Sequence, residues 1–314
     1  MKAILFIGGA GFIGSNLIKT ILKNTSNYRI HVLEPDFAGF ERLAGLDVEI
    51  HKGTLNNFDY LQSIIISNKI QIVVHLVSTM IPNSTYEDYK REFENVIFPT
   101  IRLVKFCGEK QIKFIYFSSG GTIYGNKRDH TSFKEEDALN PISYYGLSKQ
   151  ILENSILFES RTTNCDYLIL RPSNPFGKGQ NLYGNQGLIA VSLGKILTNQ
   201  AITVFGDGNI VRDFIYIDDL SNIFLRLLEK NVSKMILNIG MGIGYTINEI
   251  IDILKRTVNE NIQVNYVSTR KVDVSNVILN NEKLRSLINY KFTNIEDGIS
   301  LFYNNVKDTV LNKQ

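Results

Sequence analysis

Short apolar runs alternate along the first half of the chain with longer stretches whose apolar positions recur every three or four residues. Lys2–Ile7, Arg29–Leu33, Gln71–Leu76, Lys113–Phe117 and Tyr167–Leu170 read as strands, and Gln71–Leu76 (Gln-Ile-Val-Val-His-Leu) is apolar enough to be buried on both faces. Phe12–Lys23, Tyr86–Cys107 and Tyr145–Glu159 carry helical spacing. Buried strands separated by helices predict a parallel sheet covered on both sides, a doubly wound α/β fold.

After Arg171 the pattern changes. Ser173–Gly187 is rich in Gly, Asn and Pro, as a loop is. Phe214–Tyr216, Leu220–Leu228, Ile236–Ile239 and Ile247–Lys255 then predict one more return to the sheet and a smaller C-terminal α/β lobe. The expected division is 1–172 plus about 212–238 for the larger unit, and 173–211 plus about 239–314 for the smaller, substrate-binding one.

Composition narrows the class without naming an activity. The 314 residues are 44% apolar and 21% charged, which fits neither a disordered chain nor a fibrous repeat. A net charge of +3 gives no reason to expect a nucleic-acid or membrane-surface partner. Two cysteines, Cys107 and Cys165, are too few for a disulfide framework and suit a reducing cytoplasm. The apolar start, Met1–Ile7, is cut short by Gly8, Gly9 and Gly11, so it reads as a first strand rather than a signal peptide. No stretch is apolar for the roughly 18 residues a membrane span needs.

The first chemical signal lies between the first strand and the first helix. In Gly8-Gly9-Ala10-Gly11-Phe12-Ile13-Gly14, both G-x-G-x-x-G and G-x-x-G-x-x-G spacings are satisfied. Glycines there allow a tight turn and let a pyrophosphate approach the backbone at a helix N-terminus. Glu34 follows Gly14 by 20 residues at the end of the second strand. A carboxylate at that place accepts from an adenosine ribose 2′-hydroxyl and repels a 2′-phosphate, which favours NAD over NADP. The expected sheet is thus of the Rossmann type.

Tyr145 and Lys149 are four residues apart and share one helical face. An ammonium beside a phenol is expected to lower the phenol's pKa, so that it exchanges a proton near neutral pH. The pair follows a strand that ends in Ser118-Ser119-Gly120-Gly121-Thr122-Ile123-Tyr124-Gly125. Other chemistry is poorly supported. His31, His51, His75 and His130 show no metal-ligand spacing, so no metal is expected. Neither cysteine has a C-x-x-C partner, and Ser118-Ser119-Gly120 is not a nucleophile elbow.

These motifs together resemble the extended short-chain dehydrogenase/reductase family. Within it, the chain is most similar to the nucleotide-sugar epimerase/dehydratase branch and its UDP-sugar 4-epimerases. The resemblance also runs through His75-Leu76-Val77-Ser78, Asn95-Val96, Arg171–Gly177, Gly206-Asp207-Gly208, Val211–Asp219 and Asn238-Ile239-Gly240.

The resemblance implies bound NAD, held by Gly8, Gly11, Phe12, Ile13, Gly14, Glu34, Leu76 and Lys149. It implies Tyr145 as acid/base, tuned by Lys149. It places Asn174, Arg212 and Arg270 on the diphosphate of a nucleotide sugar, where guanidinium forks match phosphate oxygens. Departures bear on the activity. Ile7 stands where the family usually has Thr, and Thr54 where it often has an acid near the adenine. Gly120 stands where the family usually has a Ser or Thr hydroxyl on the reacting oxygen; Thr122 or Ser119 would supply it instead, with Thr122 favoured. The Asp-Glu pair of sugar 4,6-dehydratases is absent from Gly121 and Thr122, which argues against elimination chemistry, and the missing glutamate at Thr122 equally disfavours the family's decarboxylases. The resemblance thus implies a cytoplasmic, homodimeric 4-epimerase acting on a UDP-hexose or UDP-N-acetylhexosamine, in glycan precursor synthesis. The alternative is a reductase of a nucleotide-linked 4-keto sugar using NAD(P)H. A dinucleotide-binding regulatory protein is a third reading, opposed by the intact Tyr145/Lys149 pair.

Overall fold

The computed structural model describes residues 1–126, 131–258, 262–269 and 274–311. The chain begins with β1 (Lys2–Ile7), α1 (Phe12–Asn24), β2 (Tyr28–Glu34), β3 (Val48–Lys52), α2 (Phe58–Ser67) and β4 (Ile70–His75). It continues through α3 (Tyr86–Glu92), α4 (Phe98–Glu109), β5 (Lys113–Phe117), α5 (Tyr144–Thr163) and β6 (Tyr167–Pro172). Then follow β7 (Asn174–Phe176), α6 (Leu188–Leu197), β8 (Ile202–Phe205), β9 (Val211–Tyr216), α7 (Ile217–Glu229) and β10 (Met235–Ile239). The last elements are β11 (Gly244–Thr246), α8 (Ile247–Val258), β12 (Val264–Val267), β13 (Asn276–Val277), α9 (Glu282–Leu287) and α10 (Ile295–Leu311).

Seven strands form the central sheet in the order β10-β6-β5-β4-β1-β2-β3, and every pairing is parallel. The order reverses at β1, so the carboxyl ends of β1 and β4 flank the crevice where doubly wound sheets bind ligands. Alternate side chains of each strand feed two separate cores. Ile4 and Phe6 of β1 pack with α1 and α7, whereas Ala3, Leu5 and Ile7 pack with α2, α4 and α5. Both faces are therefore dry, which explains the unbroken apolar runs.

Beyond β6 a smaller group of elements has its own core, built on Phe176, Leu193, Phe214, Ile250, Leu254 and Phe302. Its strands form two small sheets, β11-β9-β13 with β7 on β9, and β8 with β12. The chain returns to the central sheet at β10, beside β6.

The helix expected over Tyr86–Cys107 is not uniform. A π-helical turn, Phe93–Ile97, separates α3 from α4. Pro99, in the first turn of α4, is the physical reason: its ring has no N–H and would meet the Asn95 carbonyl in a regular helix. Among the described residues no helix is long and apolar enough to cross a membrane.

Candidate active site

A cavity of about 1090 Å³ runs from the glycine loop, past the carboxyl ends of β4 and β5, to the smaller group of elements. Gly8, Gly11, Phe12, Ile13, Gly14 and Leu76 line one end. Ser119, Thr122, Tyr145 and Lys149 line its middle, and Asn174 and Arg212 its far side. Glu34 and the cavity are connected through the loop: its carboxylate accepts from the Ala10 amide at 2.6 Å. Burial raises the Glu34 pKa against that bond. Arg270 lies outside the described residues.

The loop accepts only glycine at its two key places. Gly8 has φ +86°, and a Cβ on Gly14 would stand 2.7 Å from the Gly9 Cα. The backbone of the strand–helix turn is thus bare where a pyrophosphate would approach it, which fits a dinucleotide.

Ser143 fixes the start of α5: its Oγ accepts from the Gly146 amide at 3.2 Å. Tyr145 and Lys149 then fall one turn apart on the face turned to β5. Lys149 is buried, and its Nζ donates to the Phe117 carbonyl at 3.1 Å. Burial brings its pKa down to about 8, although Glu92 and Glu153 pull it up. The ammonium lies 5.6 Å from the Tyr145 ring centroid and 5.1 Å from that of Tyr116.

The phenol departs from expectation. Burial holds the Tyr145 pKa above its ordinary value, against a side-chain hydrogen bond with Ser119 that lowers it. The lowering expected from Lys149 is not seen; its Nζ is engaged with the Phe117 carbonyl.

Ser119 and Thr122, the two candidates for the hydroxyl missing at Gly120, line the same cavity as Tyr145. The Ser119 side chain acts to lower the Tyr145 pKa against that burial. Thr122 stands one bond behind, with Oγ1 donating to Ser119 Oγ at 3.0 Å. Gly120 itself has no room for a side chain: an added Cβ would lie 2.5 Å from Leu279 Cδ1 and 2.9 Å from the Arg171 carbonyl.

Asn174 Nδ2 donates to the Asp213 carbonyl at 2.8 Å, and its amide group borders Gly121. Arg212 Nη1 donates to the Val211 carbonyl at 2.9 Å and the Ser275 carbonyl at 3.4 Å. Beside it the buried Asp213 carboxylate accepts from the amides of Met241 and Gly242, each at 3.0 Å, and of Leu279 at 3.2 Å.

Sequence reasoning missed Glu92. It is buried at the end of α3, where its carboxylate accepts from Ser78 Oγ and the Thr79 amide, each at 3.0 Å, and from the Thr79 hydroxyl. It thereby ties the loop after β4 to the helix that ends next to Tyr145 and Lys149. A lone acid in an amphipathic helix gives no signal of burial, and nothing in the spacing could have found it.

A family model described as the NAD dependent epimerase/dehydratase family matches residues 4–240. A putative UDP-glucose 4-epimerase of Methanocaldococcus jannaschii is 30% identical over 306 residues, covering 97% of this chain and 98% of that protein. The dTDP-4-dehydro-6-deoxyglucose reductase of Escherichia coli is 29% identical over 317 residues, covering 98% of both. The crystal structure of UDP-glucose 4-epimerase with UDP-glucose from Thermotoga maritima matches with a TM-score of 0.91 and 28% identity, over 98% of this chain and 99% of that one.

Proposed function

The chain belongs to the NAD dependent epimerase/dehydratase family, and from that premise we propose that it interconverts the C4 epimers of a UDP-hexose or UDP-N-acetylhexosamine. The observation that carries the reading is the half-buried Tyr145, one turn from Lys149 and lining one cavity with Ser119, the glycine loop, Asn174 and Arg212.

Gly8, Gly11, Phe12, Ile13, Gly14 and Leu76 would hold the dinucleotide, with Lys149 on the nicotinamide ribose and Glu34, held to the loop by the Ala10 amide, on the adenosine ribose. NAD supplies, when bound, the acceptor and donor of hydride and a positive ring beside the phenol. Tyr145 takes the proton from the sugar O4 as the C4–H bond breaks, giving a 4-keto sugar. Ser119 donates to the reacting oxygen and is itself steadied by Thr122. Asn174, Arg212 and Arg270 hold the diphosphate while the ketone turns over beside the small Gly121. Tyr145 returns the proton when hydride reaches the other face. No net oxidation occurs.

Neither Gly121 nor Thr122 is acidic, which disfavours the elimination a 4,6-dehydratase performs. Reduction of a nucleotide-linked 4-keto sugar is the second reading, favoured by the 29% identity to the Escherichia coli reductase. Incubation with UDP-sugars and no added cofactor separates the two: epimer detected by NMR supports the first reading. Stoichiometric NAD(P)H oxidation by a 4-keto sugar, with no epimer formed, supports the second.

The division into two lobes sharing one chain, with the return at β10, is part of the proposal. So is a homodimer through α3, α4 and α5. Tyr86, Phe98 and Phe158 on these helices are 59%, 62% and 55% exposed, an apolar surface suited to a second copy. Light scattering that gives a monomer mass at micromolar concentration would contradict it.

A further inference from the structure

On β2 and the edge strand β3, three side chains that are metal ligands by type meet on one face of the sheet. The parallel register of β2 and β3 sets His31 opposite Glu49 and Leu33 opposite His51. Side chains alternate along a strand, so His31, Glu49 and His51 project to the same side. His31 Nδ1 and His51 Nε2 are 3.1 Å apart. The Glu49 carboxylate is 3.4 Å from the first and 3.5 Å from the second.

Those separations suit a metal. Ligand atoms bound about 2.0–2.1 Å from a tetrahedral zinc stand about 3.3 Å from one another. The scaffold is rigid: His31 is fully buried, and two hydrogen-bonded strands fix all three Cα positions. Charge points the same way. Among the described residues, the basic groups within ion-pair distance of the Glu49 carboxylate are these two rings. A divalent cation would give the carboxylate a counter-charge. Glu49 is on the solvent side, so entry and a fourth, water ligand are available.

We propose that His31, Glu49 and His51 form a site for a divalent transition metal of the zinc class, which clamps edge strand β3 to β2. The donor set, two imidazoles and one carboxylate, selects zinc-class ions over calcium or magnesium. Among the described residues His31 Nε2 is buried with no hydrogen-bond partner. Firm zinc sites give that second nitrogen a hydrogen bond, so this site is weak and binds reversibly.

Spectroscopic titration of the full chain with Co²⁺ near neutral pH is the test. One equivalent is expected to develop the visible absorption of four-coordinate Co²⁺, and Zn²⁺ to abolish it. His51→Ala, at a half-buried position, and Glu49→Ala, at an exposed one, are each expected to weaken Co²⁺ binding at least about tenfold, with circular dichroism unchanged. Zinc is expected to raise the melting temperature of the wild type and not of either variant. Absence of saturable one-equivalent binding, or equal binding by wild type and Glu49→Ala, would overturn the site and leave the histidine pair a simple N–H···N hydrogen bond.

Discussion

Thr122 Oγ1 donates to Ser119 Oγ at 3.0 Å, and of the two hydroxyls it is that of Ser119 that acts to lower the pKa of the Tyr145 phenol. The two hydroxyls are therefore unequal partners of the reacting group. Ser119→Ala removes the hydroxyl proposed to donate to the reacting oxygen and is expected to lower kcat by about 10–100-fold, the worth of a hydrogen bond to a charged group. Thr122→Val removes only the support and is expected to cost about tenfold or less. Steady-state kinetics of both variants check the order; a larger loss in Thr122→Val would reverse the assignment.

Leu279 occupies the space of a side chain at position 120. Gly120→Ser therefore overpacks that contact and is expected to destabilise the protein by about 1–3 kcal/mol. Leu279→Ala alone opens a cavity and costs about 2–5 kcal/mol. Because each change relieves the other, the double variant is expected to lose less than the sum. Urea unfolding of the four proteins measures the coupling, and strict additivity would show that the leucine does not exclude the hydroxyl.

Lys149 is a buried cation, and its pKa falls from 10.5 to about 8 on folding. Below about pH 8 both folded and unfolded chains carry the proton, and the folded one bears the full cost of burying the charge. Between about pH 8 and 10.5 the folded chain sheds it first, so this group's contribution to stability rises with pH. Lys149→Met escapes the cost. Its stability relative to wild type is expected to be most favourable below pH 8 and to decline toward pH 10, while kcat falls by about 10²–10⁴. Denaturation at two pH values and one activity assay suffice; a relative stability independent of pH would contradict the buried charge.

Behind the site, the Arg171 guanidinium bonds Glu153 at 2.6 and 3.0 Å with both side chains buried, and Tyr124 Oη at 2.7 Å. Arg171→Met strands a buried carboxylate and is expected to cost about 3–5 kcal/mol. Arg171→Met with Glu153→Leu is expected to recover much of that loss. Chemical denaturation reads both.

The elements nearest the chemistry were legible in the sequence for one reason: they are buried on both faces or bound by glycine geometry. The apolar runs gave β1, β4, β5 and β6, the glycine spacing gave the loop before α1, and the four-residue step placed Tyr145 over Lys149. What escaped depends on tertiary environment. β3 alternates between polar and apolar at an exposed edge, so Val48–Lys52 did not stand out. The π turn before α4 follows from one proline. The phenol's raised pKa reflects burial that no spacing shows, and Glu92 and Leu279 reach their positions through packing. His31 and His51 are 20 residues apart and meet only through strand register.

The most direct test of the central claim is NMR of UDP-glucose and UDP-N-acetylglucosamine incubated with wild type and with Tyr145→Phe, without added cofactor. The wild type is expected to form the C4 epimer of at least one of them with no net change in nicotinamide absorbance, and the variant, still folded by circular dichroism, to form less than about a hundredth as much. Epimer formation by Tyr145→Phe at the wild-type rate, or no epimer from wild type alongside stoichiometric NAD(P)H oxidation by a 4-keto nucleotide sugar, would contradict it.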